Sequence, residues 1–248
     1  LIDLFNDSTK SIHMENALAI FGHYPKKDDA EYQLAKKVTH ASNYKISAGF
    51  FSTMASIPLL RASTLLRAYQ AAYPEIAKWH EWVREQLAQK GILTTPFGRQ
   101  RLFSTARAEL IITGKISNNS WKDAISYVPQ ATVPDIVNTG MLRLWENDVA
   151  NALIFQHQGH DSFLISCPVE QLGWTCEKLL ECLNITTKVK DINGIERALK
   201  IPVDCSFGFS WGALKTWKGE KTAVFGDWEK WVQDNDILGG IERGLLNE

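Results

Sequence analysis

Along the first third of the chain, apolar positions recur at helical rather than strand spacing. "HMENALAIFG" (13–22) predicts one short helix that ends at Gly22. A polar loop, "HYPKKDD", leads into a helical stretch from about Asp29 to Tyr44. In "LLRASTLLRAYQAAYPEIAKWHEWVREQLAQKG", Pro74 separates two helices. The second carries an apolar stripe of Ile76, Trp79, Val83 and Leu87, and Gly91 supplies its stop. "ILTTPFGRQRLF" predicts a β-hairpin turning at Pro96 to Gly98. From Asn118 to Asp148 the pattern is helical, with interruptions at Pro129 and Pro134. Thr132 and Asp135 have capping-box spacing, and Pro134 suits the first turn of a second piece.

Beyond residue 150 the period changes. "NALIFQ" (151–156) and "SFLISC" (162–167) read as short strands around a Gly-containing turn that holds His160 and Asp161. An amphipathic helix follows from about Val169 to Leu183. "IPVDCSFGF" then alternates, with Ile201, Val203, Cys205, Phe207 and Phe209 on one face. Helices first, then an antiparallel sheet backed by helices, make an α+β fold.

Composition narrows the class. At 248 residues, 45% apolar and 22% charged, the chain is ordinary for a globular protein with a sizeable core. No apolar run approaches the ~18–20 residues that span a bilayer, and the expectation is a cytoplasmic protein with no membrane partner. Four cysteines (Cys167, Cys176, Cys182, Cys205) show no metal-binding spacing and read as reduced thiols. Net charge is −1, but residues 219–248 hold seven acidic against three basic residues. That leaves about +3 on residues 1–218, which permits phosphate binding without demanding it.

Two stretches raise chemistry. In "HQGHDSFLISCP" (157–168), Gly159 and Asp161 either merely serve the turn or hold a carboxylate at a sheet edge. In "AKKVTHASNY" (35–44), Lys36, His40 and Tyr44 fall at i, i+4 and i+8 on one helix face. They form either a solvated face with one packed aromatic, or a surface matching a triphosphate at one end and a base at the other.

Taken together, these stretches resemble family A DNA polymerases, the bacteriophage branch above all. The helix 35–44, followed by "GHDS" in a hairpin, resembles the family's nucleotide-binding helix and third palm motif. "SIHMENALAIFG" resembles the segment preceding that helix, and "TPFGRQR" the family's arginine-bearing hairpin. "WKDAISYVPQAT" resembles the helix that carries a minor-groove-reading Gln, and "IPVDCSFGFSWG" the closing palm strand. Matching motifs run in order from residue 1 to about 217.

The resemblance implies template-directed nucleotidyl transfer, with primer–template DNA and deoxynucleoside triphosphates as partners and two Mg²⁺ ions as cofactors. It implies Asp161 as a metal ligand, suited to a hard cation that prefers oxygen, and His160 near the primer-terminal phosphate. Lys36 is expected at the α-phosphate, His13 at the β-phosphate, His40 against the sugar and Tyr44 at the templating position. Gln130 and Lys122 are expected in the minor groove, and Arg99 and Arg101 on backbone phosphates. An exposed charged hairpin is the alternative reading of the two arginines. The implied division is a fingers region over 1–115, a palm portion over 116–218 and an acidic tail over 219–248.

Several positions depart from the family pattern. Tyr32 stands where an arginine is usual, Lys45 where the helix is followed by Gly, Lys122 for an arginine, and Ser162 for an acidic residue. The first palm motif, with the other essential aspartate, is not found, nor are a thumb or an exonuclease domain. The chain opens at Leu1 rather than Met. The expectation is therefore a fragment or one part of a split enzyme, needing an N-terminal polymerase segment for activity. A non-catalytic nucleic-acid-binding derivative and an unrelated scaffold are the other readings.

Overall fold

The computed structural model describes residues 2–217 apart from 8, 169, 170, 192 and 209. Its contacts divide the described residues into two compact units, one within residues 1–132 and 187–200, the other within residues 133–186 and 201–248.

In the first unit, helices α1 (Ile2–Asn6), α2 (Ile12–Phe21), α3 (Ala30–Asn43), α4 (Ala48–Ala55), α5 (Leu59–Ala72) and α6 (Glu75–Gln89) follow in order. The expected helices over 13–22 and 29–44 are present, and Pro74 does separate α5 from α6. Gly22 ends α2 at φ 79°, a left-handed conformation that only glycine adopts without cost. Ala17, Ala35, Val38, Phe51, Ala62 and Tyr69 bury a core among α2 to α5. A second core gathers Val83 and Leu87 of α6 with Leu93 and Phe103. Leu93 lies in the hairpin of β1 (Ile92–Thr94) and β2 (Gln100–Leu102), which is paired antiparallel as expected. Helix α7 (Ser104–Thr113) follows. The strands β5 (Thr186–Lys190) and β6 (Glu196–Lys200) pair, and β6 is fastened to α1. There Asn6 donates to the Ala198 carbonyl at 2.9 Å and accepts from the Lys200 amide, and Arg197 pairs with Asp3.

The expected break at the two prolines is not there. Helix α8 runs from Asn118 to Glu146 through both Pro129 and Pro134. The capping box is not formed, because the Thr132 hydroxyl donates back to the Val128 carbonyl at 2.7 Å. Burial of Ala124 and Ile125 before the prolines, and of Ile136, Val137 and Leu144 after them, outweighs the local cost. That cost is ~3 kcal/mol per interior proline.

In the second unit, the predicted hairpin is β3 (Ile154–Gln158) paired antiparallel with β4 (Phe163–Ser166). Residues 150–152 form a 3-10 turn instead of strand, because Val149 and Leu153 on either side are drawn into the core. Helix α9 (Leu172–Leu183) is shorter than expected, and residues 169 and 170 lie outside the described ones. Gly140 of α8 lets α9 approach closely, since a Cβ there would lie 2.3 Å from a Leu183 methyl. The alternating 201–209 segment is strand only at β7 (Cys205–Phe207), paired antiparallel with β8 (Lys215–Trp217). Residues 201–204 instead border a cavity, and Phe209 lies outside the described residues. The fold is α+β, helices with small antiparallel sheets.

Candidate nucleotide and metal site

The helix face that the sequence singled out is set by one buried polar link. Asn16 of α2 is 1% exposed and donates to the Thr39 hydroxyl at 3.1 Å, while Thr39 donates to the Ala35 carbonyl. A buried donor keeps its partner only where the two helices pack in one alignment, so the link helps fix the register of α2 against α3. One turn before Asn16, His13 thereby meets Tyr32 edge-on, with ring centroids 6.3 Å apart. Lys36 places its ammonium 4.7 Å from the Tyr32 ring centre. Tyr32 is buried and serves as a platform for the lysine, a role the sequence did not disclose. Burial, then the charges of Lys36 and His40, hold the His13 imidazole below its usual pKa. Its Nδ1 is buried without a hydrogen-bond partner among the described residues. His40 is exposed on the same helix.

The end of α3 is pinned from two sides. Burial pushes the Tyr69 phenol up to about 12, so it remains a donor, and it reaches Asn43 Oδ1 at 3.3 Å. His80 of α6 donates from Nε2 to the Asn43 carbonyl at 2.8 Å. Beyond this point the Ile46 amide bonds the Ala41 carbonyl and the Lys45 amide bonds the Ser42 carbonyl. That is the Schellman arrangement, and it requires a left-handed residue at its hinge. Lys45 occupies the hinge at φ 54°, which gives a physical reason for glycine at this place in the family pattern. Its ammonium is 5.2 Å from the Trp121 ring of α8.

Tyr44 is half-buried beside the second core, and its hydroxyl accepts from Gln130 Nε2 at 3.1 Å. Two residues 86 apart in sequence, one expected at the templating position and the other in the minor groove, are thus joined. Lys122 is exposed, with its ammonium 5.6 Å from the exposed Phe50 ring. The hairpin arginines differ from each other. Arg101 is engaged with Asp123 at 3.1 Å and lies over Phe103, whereas the Arg99 carbonyl accepts from Tyr127.

His160 and Asp161 belong to the second unit. They sit in the turn from Gly159 to Ser162, closed by the Gly159 amide donating to the Ser162 carbonyl at 2.8 Å. Asp161 is exposed and forms no ion pair among the described residues. A bulge between Phe155 and His157 bends β3 just before the turn. Gln158 ties the hairpin to α8 through Asn138 Oδ1 at 2.6 Å. Beside the turn, a cavity of about 420 Å³ opens between β4, α8, α9 and residues 201–206, with Asp161 at its rim. The residues missed from sequence are Asn43, Tyr69, His80, Asn138 and Gln158. Each acts through a partner 20 or more residues away, so no local pattern marks it.

The family model for DNA polymerase family A matches residues 1–213. The chain belongs to DNA polymerase family A. It is 24% identical over 179 residues to a DNA polymerase of Mycobacterium phage D29, covering 72% of this chain and 27% of that protein. It is 26% identical to DNA polymerase I of Deinococcus radiodurans over 206 residues, covering 81% of this chain and 20% of that one. The chain therefore spans under a third of the length of these curated relatives. In fold it is similar to the POL domain of Pol1 from M. smegmatis, solved in complex with DNA primer-template and dNTP. The TM-score is 0.65 at 18% identity, covering 74% of this chain and 32% of that one.

Proposed function

We infer that this chain is the fingers and C-terminal palm part of a template-directed DNA polymerase, which adds deoxynucleotides to a primer 3′ end. The observation that carries the reading is the α2–α3 face, where His13, Lys36, His40 and Tyr44 follow one another and Tyr44 is bonded to Gln130. Its cationic end suits the triphosphate, where negative charge builds as pyrophosphate leaves. Its aromatic end suits the templating base. Burial, then the Lys36 charge, lower the His13 pKa, so a bond from its imidazole to a phosphate oxygen would bring less positive charge than an ordinary histidine carries.

Asp161 is the residue of this chain that would hold Mg²⁺, and His160 would lie near the primer terminus. Two divalent cations would supply the clamp on attacking and leaving oxygens. Asp161 fits as one ligand: it is exposed, is free of ion pairs among the described residues, and offers hard oxygen. It does not suffice, because no group of three metal-ligating side chains is found among the described residues. The second carboxylate is assigned to a polymerase segment outside these residues. The apolar cavity beside β4, which among the described residues pairs only with β3, supports an extended segment as its carrier. In this reading residues 1–115 supply fingers, 116–218 palm, and 219–248 an acidic tail.

The test uses the chain together with a segment carrying the missing palm motif. Asp161→Ala is expected to lower primer extension by about three powers of ten or more, with folding unchanged. Near-normal extension by the variant would overturn the assignment of Asp161.

A further inference from the structure

The second unit carries a pair of thiols that the polymerase reading does not use. Cys176 lies on the buried face of α9, and Cys205 opens β7. Their sulfurs are 3.6 Å apart although the residues are 29 apart in sequence. This is sulfur–sulfur contact without a bond, and both thiols are free. Closing to a disulfide asks for roughly 1.5 Å of movement, within reach of side-chain rotation and small backbone shifts.

The two thiols are unlike, and the difference orders the chemistry. Cys205 is partly accessible and borders the cavity whose rim holds Asp161, whereas Cys176 is 3% exposed. Contact with Cys176 lowers the Cys205 pKa, while contact with Cys205 and then burial push the Cys176 thiol up. Cys205 is thus the thiol that meets an oxidant, and Cys176 the one that resolves it. Cys167, just past β4, packs against the same apolar cluster as Cys205, and burial raises its thiol. Cys182 lies on α9 as well, with no sulfur contact to the pair among the described residues.

We propose that Cys176 and Cys205 form a reversible disulfide that ties α9 to β7 when the protein meets a small-molecule disulfide such as oxidised glutathione. The Cys205 thiolate attacks one sulfur of the oxidant, forms a mixed disulfide and releases one thiol. Cys176 then gives up its proton and attacks the Cys205 sulfur, releasing the second thiol. Two protein thiols are oxidised and one small disulfide is reduced to two thiols. The crosslink fixes one wall of the cavity beside Asp161 and closes a long loop of the unfolded chain.

The experiment treats the purified 248-residue chain with oxidised glutathione, then blocks free thiols and digests it without reductant. The expected result is a peptide linking Cys176 to Cys205 and a mass loss of about 2 Da for the intact chain. The melting temperature is expected to rise by roughly 5–10 °C, reversed by dithiothreitol. Cys205→Ser and Cys176→Ser should each abolish both changes, while Cys182→Ser retains them. Absence of the linked peptide from the wild-type chain overturns the proposal, whatever the serine variants do. A predominant Cys167–Cys205 link overturns it equally. None of these readouts depends on polymerase activity.

Discussion

His80 holds the end of α3 just before Tyr44, so its removal tests how the candidate nucleotide face is supported. The imidazole is 8% exposed, packs edge-on to Trp121 at 6.2 Å and donates to the Asn43 carbonyl. In His80→Ala the carbonyl loses its donor. Asn43 is itself exposed, so water can replace that donor, and the loss of the bond costs about 1 kcal/mol. Losing the buried ring adds about 1–2 kcal/mol, giving about 2–3 kcal/mol in all. The effect also depends on pH. Burial, then the Lys45 charge, lower the His80 pKa, and the bond to Asn43 only partly opposes them. The unfolded chain therefore binds more protons than the folded one below an ordinary histidine pKa of ~6.5. Stability is full above that value and is lost as pH falls toward the depressed folded value. His13 is shifted in the same direction, so the comparison is made in a His13→Gln background. His80→Gln keeps a donor but cannot titrate. Urea unfolding at pH 7.5 and pH 5.5 should show the background losing stability on acidification and the His80→Gln variant losing less. Equal losses in both proteins, or a cost below about 0.5 kcal/mol for His80→Ala at pH 7.5, would refute the reasoning.

Lys45→Gly should raise stability by about 0.5–1 kcal/mol, because relieving a left-handed non-glycine outweighs the exposed contact with Trp121; thermal unfolding measures it. Asn138→Ala should cost about 0.5–1.5 kcal/mol and increase amide exchange in β3, because Gln158 loses its partner on α8.

The sequence by itself determined the helices over 13–22 and 29–44, the proline break at residue 74 and both predicted hairpins. In those segments the hydrophobic period, the punctuating Gly or Pro and the burial all agree. It also determined which residues share the α3 face, because spacing of four along a helix is a purely local fact. The helix running through Pro129 and Pro134 was decided by tertiary structure, since packing on both sides of the prolines exceeds their local penalty. So was the shortening of the alternating 201–209 segment to three strand residues, because a strand exists only where a partner's backbone pairs with it. Tyr32 shows the same division at the site. Its sequence position announced a missing cation, but only the packing of α2 on α3 made it the ring beneath Lys36. The pins on Asn43, the Tyr44–Gln130 bond and the contact of Cys176 with Cys205 join residues 26 to 86 apart. Contacts at such separations are set by how whole elements stack, a property that no stretch of sequence carries alone.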